Sequence, residues 1–163
     1  MTVAPRAGET VVGGTVGGGT VGGGTVVQID GRAKAYRPLP VDARAAAVLQ
    51  GLALYERGES FEAHEAWEPA WMGTDDVAER ALIQGLIKLA AADVHGGRDN
   101  PRGVARNLAG ALERLRSAAD AGVTTAPGIV IDLAALIDAA AARLVRADHG
   151  ETTASITIPW RPA

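Results

Sequence analysis

The sequence predicts an all-α bundle of about five helices, and three observations point there. Hydrophobic residues make up 47% of the 163 residues but aromatic residues only 4%, so the core must be built of Ala, Leu, Val and Ile. Alanine-rich apolar content of this kind favours closely packed helices over sheet. Between residues 42 and 148 apolar side chains recur at helical spacing, interrupted by capping residues, Gly and Pro.

The same composition excludes several roles. A net charge of −3 with interspersed acids and bases is no footprint for nucleic acid. The chain has no cysteine, so disulfides and thiolate metal sites are ruled out. There is no basic segment leading into an apolar run at the N-terminus, and no stretch of about 18 apolar residues. The expectation is a cytoplasmic protein with no membrane span.

Three regions are expected: an arm and lead-in over 1–41, a helical domain over 42–148 and an extended tail over 149–163. In the arm, Thr10, Thr15, Thr20 and Thr25 recur every five residues, each followed by Val and then mostly Gly. Glycine loses the most backbone entropy on ordering, so this reads as a flexible tether. A short β-prone segment is the second reading, because Thr and Val favour strands. Residues 17–22 formally match G-x-G-x-x-G, but only as a by-product of the repeat. Pro38 and Pro40 then impose an extended lead-in.

The first helix is expected from Asp42 to about Arg57, with Val48, Leu49, Leu52 and Tyr55 inward. Gly58 ends it, and Ser60 is placed to cap the second helix. On that helix Phe61, His64, Glu68 and Trp71 fall at i, i+3, i+7 and i+10, with Trp67 beside them. Pro69 is expected to kink it or change its pitch near Glu68. Gly73 closes it. Asp76 and Glu79 form a capping box for the third helix, which runs to about His95. Leu82, Ile83, Leu86, Ile87, Ala90 and Val94 form its apolar face, while Gln84, Lys88 and His95 share another side. Asn100-Pro101 opens the fourth helix, to about Ala119, with Val104, Leu108, Ala111, Leu112 and Leu115 inward. A loop over 122–128 precedes the fifth helix, starting near Asp132, with Leu133, Leu136, Ile137, Ala140 and Leu144 inward. In the tail, Ile156 to Trp160 is strand-like, and Trp160 is free either to dock or to hang loose.

A resemblance joins these elements. Gly58-Glu59-Ser60-Phe61 leads into His64, Glu65, Glu68 and Trp71. Glu79-Arg80 precedes Gln84-Gly85-Leu86-Ile87-Lys88-Leu89-Ala90, and His95 and Asn100 follow. Over roughly residues 44–145 this resembles the all-helical family called domain of unknown function 309. The resemblance implies a helical fold and carries no activity. Asp93, where the family usually has an apolar residue, departs from the pattern.

His64-Glu65-Ala66-Trp67-Glu68 also reads as His-Glu-x-x-Glu, a zinc-hydrolase helix with its second histidine replaced. Residues at i and i+4 stand one above the other, so His64 and Glu68 can meet at one divalent metal. Glu65 would then serve as the catalytic base, and His95 as a third ligand if its helix packs antiparallel. The competing and stronger reading is a buried polar network. In it His64 and Glu68 satisfy each other, the indoles of Trp67 and Trp71 find acceptors, and Arg80 neutralises Glu68. Phe61, Trp67, Trp71, Arg80 and Gln84 complete the pocket on either reading. The main functional expectation is a non-catalytic binding or scaffold module for a protein or small ligand, with a groove walled by the two indoles. Self-association is a further option. The alternative is a metal-dependent hydrolase.

Overall fold

The computed structural model describes residues 24–27, 33–151 and 153–163. Most of the glycine repeat, and with it the flexible-arm expectation, lies outside the described residues. The last part of the repeat forms strand β1 (Gly24–Val27), paired antiparallel with β2 (Ala33–Tyr36). The lead-in then runs alongside the end of the second helix: Arg37 N–H donates to the Met72 carbonyl and Leu39 N–H to that of Gly73, both at 3.0 Å.

Five helices follow: α1 (Val41–Glu56), α2 (Ser60–Met72), α3 (Val77–Gly96), α4 (Pro101–Asp120) and α5 (Leu133–Asp148). Each packs on the next in chain order, as short connections require. α3 is the most buried, and its contact with α4 is the most extensive. Among the described residues, no helix is long and apolar enough to cross a membrane.

The ends are set by local chemistry. The Asp76 carboxylate accepts from Ala78 N and Glu79 N, Asn100 Oδ1 from Gly103 N, and Asp132 Oδ1 from Ala135 N. Only half of the expected capping box forms. The Glu79 carboxylate is taken by Arg44, whose Nε lies 2.8 Å from Oε1, so it is spent on joining α1 to α3. Ser60 does not cap α2: Glu59 occupies that position without a side-chain bond, and Ser60 is buried in the first turn. α2 continues past Pro69 to Met72.

The antiparallel seam of α3 and α4 is cut by glycines. A Cβ at Gly85 would lie 2.6 Å from Leu115 Cδ2, and one at Gly103 would lie 2.4 Å from His95 Nδ1. One at Gly110 would lie 2.9 Å from the Lys88 stem. Each missing side chain leaves its space to the facing residue.

A small sheet stands where a loop and an extended tail are expected. β3 (Thr125–Ala126), β4 (Ile129–Ile131) and β5 (Trp160–Pro162) form three antiparallel strands in that order. Trp160 docks, paired with Ile131 across β4–β5, and its Nε1 donates to Glu56 Oε1 at 2.8 Å. Ile158 is buried just before it.

Candidate functional site

Burial on α2 falls one position away from the expected stripe. The inward residues are Ser60, Ala63, Trp67, Ala70 and Trp71. Both stripes have helical period, and side-chain size misled the choice between them. Ala63 and Ala70 are inward because they are small enough for close approach to a neighbour. Phe61, expected inward, is 57% exposed.

The indoles are core pieces. Trp67 is fully buried, its Nε1 donates to the Val48 carbonyl at 3.1 Å, and its ring tilts against Tyr55 with centroids 5.9 Å apart. Trp71 is buried as well. The expected groove walled by Trp67 and Trp71 is therefore absent, since neither ring offers an open face.

His64 and Glu68 are not sunk among these rings. Both are half-buried at the rim of the helix. His64 Nδ1 lies 3.2 Å from Glu65 Oε1, and Glu65, the expected base, is exposed. Arg80 is half-buried, and its Nη2 donates to the Thr74 carbonyl, where it ties the α2–α3 connection. Gln84 is half-buried on α3.

The three expected metal ligands do not meet. Counted outward from the connection at 73–76, His64 stands level with about Gly85 on antiparallel α3. His95 lies about ten residues further on, roughly 15 Å of helix. Among the described residues, no three His, Asp or Glu side chains are grouped so as to hold a metal ion. His95 is also committed locally. Its Nδ1 lies 3.1 Å from Asn100 Nδ2, while Asn100 Oδ1 accepts from Gly103 N at 2.9 Å. An amide nitrogen can only donate, so Nδ1 accepts and the ring proton sits on Nε2. Presenting Nε2 to a metal would require the other tautomer, hence a flipped Asn100 and a lost cap for α4.

The buried charges lie elsewhere. Arg143 on α5 pairs with Asp93 on α3, with side-chain exposures of 3% and 4%. Arg143 Nε donates to Thr153 Oγ1 in the tail at 2.8 Å. Tyr55 on α1 faces the same carboxylate. Burial raises its phenol pKa above the ordinary tyrosine range, Asp93 raises it further, and Arg143 opposes the shift. The sequence held a signal for this cluster. Asp93 falls in a largely apolar helix, and Arg143 is spaced with Leu136, Ala140 and Ala147 on the inward stripe of α5. An acid and a base on two inward faces are candidates for each other. Beside the tail, an open hollow of about 330 Å³ is lined by Val130, Ile131, Asp132, Pro159, Trp160 and Arg161.

The family described as "Domain of unknown function (DUF309)" matches residues 48–107. The match runs from α1 into α4, short of the roughly 44–145 expected, and it contains every candidate residue discussed for α2 and α3. Comparison with curated proteins and with solved structures gave no match.

Proposed function

We propose that this protein is a non-catalytic helical module that binds a protein segment across the outer face of α2. The observation that carries the reading is the division of labour on that helix. Trp67 and Trp71 are spent on the core, while Phe61 stays 57% exposed with half-buried His64 and Glu68 beside it. An exposed ring rimmed by polar groups on a rigid helix has the make-up of an interface anchor. A protein segment suits this face better than a small ligand, because a small ligand needs a concave pocket and the outer side of a single helix is convex. The hydrolase alternative is the less favoured reading, because no three His, Asp or Glu side chains among the described residues are grouped so as to hold a metal ion. The cysteine-free composition suits a cytoplasmic setting.

The test is a selection of short random peptides on the full chain, with the selected peptides mapped by amide chemical shifts. Selected peptides should perturb residues 61–69. Phe61→Ser should weaken them at least about tenfold, about 1.4 kcal/mol, without lowering the melting temperature. Failure to enrich any peptide, or shifts confined to another surface, would remove the reading.

A further inference from the structure

We propose that the segment bound by α2 is supplied by a second copy of this chain, which lays the outer face of its α4 on the α2 face. This rests on the reading of α2 as a binding face and names its occupant.

Residues 58–79 contain no Lys or Arg, but they carry Glu59, Glu62, Glu65, Glu68, Asp75, Asp76 and Glu79. Two of these acids are met by arginines of the preceding helix and turn. Arg57 Nε lies 2.6 Å from Glu59, and Arg44 Nε lies 2.8 Å from Glu79. Glu62 and Glu65 remain exposed on the same outer side of the helix as Phe61.

The positive charge gathers on α4. Arg102, Arg106, Ala109, Glu113 and Arg116 are all exposed, and their spacing of i, i+4, i+7, i+11 and i+14 places them on one outer stripe. Arg98 precedes them, also exposed. The acids nearest in sequence to the stripe are Asp99, Glu113 and Asp120, and Glu113 is engaged by Arg114 at 2.9 Å. Ala109 leaves a gap between Arg106 and Arg116 in which an aromatic ring can lie across the helix.

α2 and α4 flank α3, so the acidic and basic faces are held on different sides of one chain. They complement each other only between copies. Such a contact is heterologous: each copy still presents one acidic and one basic face, and assembly continues until a ring closes. Charge supplies orientation and association rate, and Phe61 supplies the anchor.

The test is light scattering on the full chain across concentration, at low salt and at roughly 1 M salt, where exposed charges are screened. Mass should rise with concentration at low salt and fall back at high salt. Glu65→Arg and Arg106→Glu should each raise the dissociation constant of self-association at least about tenfold when alone. Mixed in equal amounts, they should associate again, because the pair retains one intact acidic face and one intact basic face and the two altered faces carry opposite charges. Circular dichroism shows whether each variant folds. Glu62→Arg and Arg102→Glu replace any that does not. Wild-type protein that stays monomeric, variants that associate like wild type, or a mixture that stays monomeric each overturn the proposal. Peptide capture on α2 by a strictly monomeric protein would sink this inference alone and leave the binding-face reading standing.

Discussion

Gly51 decides how closely α1 can approach α2. A Cβ there would lie 2.2 Å from Trp67 Nε1 and 2.4 Å from Cδ1, inside a ring that has no free space to move into. Gly51→Ala gains helix propensity but must push the indole off its bond to the Val48 carbonyl. Overpacking of this kind typically costs about 1–3 kcal/mol. The expected result is a lower urea midpoint with an unchanged slope. Tyr55 gives a residue-scale prediction in pH. The folded chain disfavours its phenolate, so the folded state keeps a proton that the unfolded chain loses near about pH 10. This contribution to stability is complete below that pH and is lost as pH rises beyond it. In a Tyr36→Phe background, phenolate absorbance should therefore appear together with loss of helical circular dichroism. Phenolate forming in the intact fold near pH 10 would contradict the placement.

At the scale of elements, the Asp93–Arg143 pair matters most, because it ties α3, α5 and the tail and faces Tyr55 of α1. Removing one member leaves the other charge buried without compensation, which typically costs about 3–5 kcal/mol. Asp93→Ala should lower stability by that order. Asp93→Leu combined with Arg143→Met should recover most of the loss in chemical denaturation, since it buries apolar groups in place of two ions. A double variant as unstable as the single one would show that the charges do more than fill space. α2 shows what periodicity alone can and cannot resolve. The pattern predicts a helix that follows a Ser60 cap and closes at Gly73, but two adjacent stripes fit it. The aromatic stripe drew the choice, and the alanine positions Ala63 and Ala70 decided the outcome. His95 was legible as a helix-end residue, yet its partner was not, because a hydrogen bond across a connection depends on the path of that connection.

At the scale of the whole molecule, the order of packing, α1 on α2 through α4 on α5, separates acidic α2 from basic α4 and gives a weakly charged chain two strongly charged faces. The sequence by itself determined the all-α class, the five helices and most of their ends. Helical period, Asp and Asn caps, and Gly or Pro stops act within a few residues of chain, so they can be read locally. Tertiary structure decided which stripe of α2 turned inward, that Asp93 would find Arg143, that the tail would add a strand beside β4, and that His64 and His95 would stand apart. These outcomes depend on distances between residues far apart in the chain. A burial free energy proportional to area is indifferent to sequence order, so only the packed arrangement could settle them.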